Sequence, residues 1–85
     1  TWTTLYDVQR KDKNQNAIIG KNVLTYDTKN CIVNVPKEKL VVLQGLNNYI
    51  VVEKDDMLMV CKKSDEHLVK KFISDIEIEK GDCYI

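Results

Sequence analysis

The chain is 85 residues long, enough for one domain near the lower limit of what folds alone. Its 13 basic and 13 acidic residues cancel, so it lacks the basic excess on which binding to nucleic acid or an anionic membrane rests. A hydrophobic fraction of 44% is too high for disorder, and no apolar run approaches the roughly 20 residues needed to span a bilayer.

The start, Thr1-Trp2-Thr3-Thr4, has neither the charged region nor the apolar stretch of a signal peptide, and no initiator Met. The chain is therefore read as a piece of a longer, cytoplasmic protein. Trp2, Leu5, Tyr6 and Val8 are spaced for a short helical turn between Trp2 and Gln9. Arg10 to Asn16 (RKDKNQN) is polar without periodicity and reads as an exposed loop. Short β-branched runs then recur, bounded by Gly, Asn, Asp, Lys or Pro. They are Ala17–Ile19, Val23–Tyr26, Cys31–Val35, Leu40–Leu43, Tyr49–Val52 and Met57–Val60.

These runs repeat. Asn30-Cys31-Ile32-Val33 aligns with Asn48-Tyr49-Ile50-Val51 at an offset of 18, and Leu40–Leu43 falls on Leu58–Cys61. Eighteen residues make three hexapeptides, one turn of a triangular β-helix. Leu40, Leu46, Val52 and Leu58 also form a row at six-residue spacing. The expected fold is mainly β, a short left-handed β-helix-like solenoid followed by one C-terminal helix. An antiparallel β-meander with the same helix is the alternative. The helix is expected over about 64–76, with Ser64 as N-cap, Asp65 and Glu66 in the first turn, and Leu68, Val69, Phe72, Ile73 and Ile76 on one face. Cys83-Tyr84-Ile85 is apolar enough to dock.

Chemistry-bearing residues do not converge in the sequence. His67 is the only histidine and reads as a surface helix residue, since no pattern supplies an orienting carboxylate and a nucleophile. Cys31, Cys61 and Cys83 are odd in number, so reduced thiols are expected rather than a disulfide framework, and their spacing misses zinc sites. Asp55-Asp56 falls at a strand turn, which attracts Asp for conformational reasons; Glu77 and Glu79 form a second acidic pair. Three scattered glycines cannot form a phosphate loop. Trp2, Tyr6, Tyr26, Tyr49 and Tyr84 lie in or beside apolar runs, where packing is the default role. No catalytic, cofactor-binding or metal-binding residue is assigned.

The strand residues carry a family resemblance. Asp27-Thr28-Lys29-Asn30-Cys31-Ile32-Val33 resembles the D-[ST]-x-N-C-x-V segment of bacterial mannose-1-phosphate guanylyltransferases. Lys39 to Val52 (KLVVLQGLNNYIVV) resembles their K-L-V-x-x-x-G-L-x-[DN]-x-[IV]-V-V segment. Asp56 to Cys61 (DMLMVC) resembles the D-A-L-L-V-x stretch before their terminal helix, and Thr1 to Tyr6 the G-[ST]-W-x-x-L-[WY] segment that ends their catalytic domain. Asn47-Asn48 replaces a more usual acidic pair. The resemblance implies a parent that makes GDP-mannose and pyrophosphate from mannose 1-phosphate and GTP with magnesium. Its chemistry would lie in an N-terminal nucleotidyltransferase domain whose G-x-G-G-x-G-x-R-L loop and F-x-E-K-P segment are absent here. Residues 1–16 would then end the linker from that domain, and 17–85 would form the β-helix-like domain, inactive alone. Its partners would be the catalytic domain and, as a homodimer, a second copy, with no nucleic acid and no membrane. A stand-alone assembly or sugar-binding module built on Tyr and Trp is the rival reading.

Overall fold

The computed structural model describes residues 2–81, with side chains from residue 4 onward. A short helix, α1 (Trp2–Val8), precedes six strands: β1 (Ala17–Ile19), β2 (Asn22–Tyr26), β3 (Ile32–Asn34), β4 (Leu40–Gln44), β5 (Tyr49–Lys54) and β6 (Met57–Lys62). A 3-10 segment, Lys63–Leu68, then leads into α2 (Val69–Lys80). The strands deal themselves alternately into two sheets, one ordered β1-β3-β5-β6 and the other β2-β4.

Up to β5 all pairing between strands is parallel. β3 meets β5 with Ile32 beside Ile50, and β2 meets β4 with Asn22 beside Leu40, both at the 18-residue offset. A parallel bridge between Lys29 and Asn47 supplies the third side of the coil. Its hydrogen bonds run from the Lys29 amide to the Leu46 carbonyl (2.9 Å) and from the Asn48 amide to the Lys29 carbonyl (3.1 Å). The corners repeat as well. Asp27 and Gly45 have φ of 51° and 76°, and Asn30 and Asn48 have φ of 57° and 65°. Asn and Asp are the non-glycine residues that tolerate this left-handed region best, because their short polar side chains can bond locally. The repeated Asn is thus a corner residue, and the triangular coil is the observed architecture. The first coil is shorter, since Ala17 pairs with Ile32.

Two of the sequence expectations about the repeat are corrected. Leu40–Leu43 and Leu58–Cys61 do not stack: β4 lies on β2, and β6 folds back antiparallel on β5, with Ile50 beside Cys61. The turn decides this. Asp55 and Asp56 have φ of 49° and 66°, the two positive values of a tight hairpin turn, whereas Pro36 occupies the matching stretch one coil earlier. Proline fixes φ near −65° and has no N–H to give, so that stretch turns a corner instead of closing a hairpin. The meander alternative survives only as this last hairpin. Nor do Leu40, Leu46, Val52 and Leu58 form one layer, because Leu40 and Leu58 are 70% and 64% exposed while Val52 is 7% exposed.

Two cores result, one on each face of the larger sheet. Inside the coil Cys31, Val33, Val35 and Val51 pack together, flanked by Ile18, Val23, Val41, Leu43, Leu46 and Tyr49. On the other face Ile32, Ile50, Val52 and Cys61 are covered by Leu5 and Tyr6 of α1, by Met59, and by Val69 and Phe72 of α2. Burial on both faces explains why β3 and β5 read as unbroken apolar runs rather than alternating ones. In β2 and β4 the burial alternates, one face in and one out.

The terminal helix starts differently from expectation. Ser64 is not its cap; Lys62 precedes the 3-10 segment without a side-chain cap bond, and Asp65 breaks the helical geometry (φ −103°, ψ 21°) before α2 begins at Val69. The α-helix continues to Lys80, so the acidic pair Glu77 and Glu79 lies on it, exposed. Packing explains the shift: Val69 and Phe72 must meet the sheet just after Cys61 ends it, and the tighter 3-10 winding brings them there. The expected docking of Cys83-Tyr84-Ile85 lies outside the described residues.

Candidate interaction surfaces

The loop from Arg10 to Asn16 is exposed at most positions, but it ends on a buried polar residue that the sequence reading placed outside. Asn16 is 1% exposed. Its Oδ1 accepts the Cys31 amide (3.0 Å), and its Nδ2 donates to the Thr28 carbonyl (2.9 Å) and to Asp12 Oδ2 (3.2 Å). Asp12 Oδ1 in turn accepts the Asn14 and Asn16 amides. Burial by itself would raise the Asp12 pKa, but these bonds from Asn16 and Asn14 outweigh it and hold the carboxyl below its ordinary value. Asn16 therefore seals the start of the coil, supplying to Cys31 the partner that a preceding coil would have given.

Beside this cap the Tyr6 hydroxyl donates to the Gln15 carbonyl (2.8 Å). The Lys63 ammonium stands 3.6 Å from the Tyr6 ring centroid and that of Lys11 4.6 Å from it. Burial lowers the Lys63 pKa and raises that of Tyr6. Tyr6 is thus a latch between α1, the loop and the 3-10 segment.

Among the described residues, those singled out from the sequence stay apart. His67 is exposed on the 3-10 segment, and Asp55-Asp56 occupies the hairpin turn. Cys31 and Cys61 are buried free thiols in different cores. Burial pushes the Cys61 thiol up, and Asp65 and Glu66 add to it, which keeps it protonated and unreactive. Tyr6, Tyr26 and Tyr49 fall on three different surfaces, so they form no common platform. No group of three or more His, Cys, Asp or Glu that could hold a metal ion is found among the described residues. No helix among the described residues is long and apolar enough to cross a membrane.

What the surface does offer is apolar. A half-open groove of about 1190 Å³ runs between the Val35-Pro36 corner, the β5–β6 hairpin and α2, with Met57, Met59, Phe72 and Ile76 in its wall. A Lys39–Glu53 ion pair (3.2 Å) ties the corner to β5 at its rim. The second surface is the outer side of β2 and β4, where Leu24, Tyr26, Leu40 and Val42 are all exposed. Its six outward positions, completed by Asn22 and Gln44, carry no charge in a chain that is 31% charged.

A triangular parallel coil, capped by a buried Asn at one end and by a hairpin and helix at the other, defines a β-helix module whose surfaces suit packing. Residues 21–76 match the family described as the MannoseP isomerase/GMP-like beta-helix domain, and the chain belongs to it. The chain is 33% identical over its full 85 residues to mannose-1-phosphate guanylyltransferase 2 of Escherichia coli O157:H7, covering 17% of that protein. It is 35% identical over 79 residues to the alginate biosynthesis protein AlgA of Pseudomonas aeruginosa, covering 93% of this chain and 16% of that one. It thus spans about one-sixth of the length of these relatives. A crystal structure from Thermus thermophilus, described as mannose-1-phosphate geranyltransferase, superposes with a TM-score of 0.71 over 89% of this chain and 23% of that one, at 24% identity, which shows a shared fold.

Proposed function

We propose that this chain is the C-terminal β-helix domain of a mannose-1-phosphate guanylyltransferase, an enzyme that joins mannose 1-phosphate to GTP and releases pyrophosphate. The observation that carries this reading is one of coverage: the whole chain aligns with a relative of that name, yet spans only 17% of it. In this reading residues 1–16 are the end of the linker from an N-terminal nucleotidyltransferase domain, which holds the nucleotide, the sugar phosphate and the magnesium. Residues 17–85 contribute structure rather than a reacting group. The exposed apolar surfaces and the lack of converging acids, bases or nucleophiles among the described residues support that division.

The test is a graft. The matching segment of the E. coli relative is replaced by this chain, and GDP-mannose synthesis is followed beside the segment-deleted enzyme and the isolated 85 residues. The reading expects activity from the graft, a much weaker or insoluble deletion product, and none from the isolated module. Turnover by the module alone, or a deletion product as active and stable as the intact enzyme, would overturn it.

A further inference from the structure

α2 is only partly covered by the sheet it lies on. Its face toward the groove carries Val69, Phe72, Ile73 and Ile76, spaced three and four residues apart. Val69 and Phe72 reach the buried core, but Ile73 is 38% exposed and no described residue of α2 is buried. A helix of 12 residues is marginal in water without packing, so this face calls for further cover. The need is greatest at the hairpin end, where Val52 and the half-buried Met57 share the groove wall with Ile76.

Gly81 follows the helix at a φ of 81°, a positive value that costs glycine little, and nothing stands within 4 Å of where its Cβ would be. That open space leaves room for the chain to turn back along α2. The next residues, Asp82-Cys83-Tyr84-Ile85, bring three apolar side chains directly after the charged Glu79-Lys80. Ile76 lies five residues before Gly81 and Ile73 eight, about 7.5 and 12 Å along a helix. An extended chain advances about 3.3 Å per residue, which places Tyr84 and Ile85 within about 10 and 13 Å of Gly81. The two lengths match.

We infer that Cys83-Tyr84-Ile85 folds back along α2 and closes the hairpin end of the groove, with the Tyr84 ring between Met57 and Ile76. A tyrosine suits that place, because its ring is apolar and its hydroxyl meets the charged rim at Lys54, Asp55 and Asp56. Met57 and Met59 suit it from the other side, since an unbranched thioether adapts to an aromatic ring and gains from contact with it. The chain's own segment is favoured over a separate molecule. A link of two residues, Gly81-Asp82, holds it at an effective concentration on the order of millimolar, which a separate chain must exceed to displace it. This contact is internal to the module and does not depend on the parent enzyme's reaction.

The chain has two methionines, Met57 and Met59, and both lie in the groove wall. Isotope labelling of their methyl groups therefore gives magnetic-resonance signals that report on the groove alone. In the full 85-residue chain, nuclear Overhauser contacts from the Tyr84 ring to the Met57 methyl and to Ile76 are expected at every protein concentration. Tyr84→Ala removes them, moves the Met57 resonance and lowers Tm by about 4–8 °C, while Tyr84→Phe restores all three. Ile78→Ala, at a position 82% exposed and outside the groove, leaves the Met57 resonance where it was. The contacts in the unsubstituted chain decide the matter even if Tyr84→Ala fails to fold. A Tyr84 ring without contact to Met57 overturns the inference, as does a Met57 resonance or a Tm that Tyr84→Ala leaves unchanged. So do contacts that fade on dilution, which would mean that a second copy supplies the ring.

Discussion

Asn16→Ala tests whether the coil depends on its polar cap. The substitution removes the Oδ1 that accepts the Cys31 amide and the Nδ2 that donates to the Thr28 carbonyl, leaving both buried groups without these partners. An unsatisfied buried group costs about 1–3 kcal/mol, so two give about 3 kcal/mol once partial relaxation is allowed. The bond from Nδ2 to Asp12 goes too, which loosens the hold of the loop on the coil. An 85-residue chain has roughly 4–13 kcal/mol of stability in all, so the loss is a large fraction. At about 4–8 °C per kcal/mol, Tm falls by about 12–24 °C. The assay is urea unfolding followed by far-ultraviolet circular dichroism, with Asn14→Ala as the control. Asn14 is exposed and contributes its backbone amide and carbonyl to the network, so its truncation should stay within about 0.5 kcal/mol of the parent. If Asn16→Ala is no worse than Asn14→Ala, Asn16 is not the seal of the coil and the cap argument fails.

Three other outcomes follow from the same geometry. The Asp12 pKa is lowered in the folded chain, so its contribution to stability is present above the unfolded value near ~4 and is lost as pH falls through the folded one; Asp12→Asn should flatten the acid limb of Tm against pH, and an unchanged limb would show the carboxylate to be uninvolved. A Cβ on Gly20 would sit 2.7 Å from Cγ2 of the buried Val35 and 3.2 Å from that of Val23, so Gly20→Ala should cost about 1–3 kcal/mol in chemical denaturation, and a neutral result would mean that this corner can give way. Asn48 has a φ of 65°, so Asn48→Ala should cost about 1 kcal/mol while Asn48→Gly is nearly neutral; equal effects of the two would remove backbone conformation as the reason for Asn there.

The six strands, the first helical turn and the terminal helix were all legible, because each rests on local features: β-branched runs, punctuation by Gly, Asn and Pro, and an apolar stripe. The 18-residue repeat was legible too, and it gave the parallel pairing of β3 with β5 directly. It misled at Leu58–Cys61. Apolar residues at the right offset say that a strand wants burial, not which neighbour will provide it, and two consecutive positive-φ residues at Asp55 and Asp56 were enough to turn a third coil into a hairpin. Asn16 escaped for a similar reason. Its partners lie 12 and 15 residues away, and within a run of Lys, Asp, Asn and Gln nothing local sets one Asn apart as buried.

By itself the sequence determined the 18-residue repeat of the coil, its family resemblance, and the absence of charge along β4. Only the tertiary structure decided where the coil stops, which polar side chain seals its beginning, and which strand edge is left bare. The difference is physical. Periodicity and φ preference act between residues close in the chain, whereas ends, caps and edges are set by hydrogen-bond partners that meet only once the coil has closed.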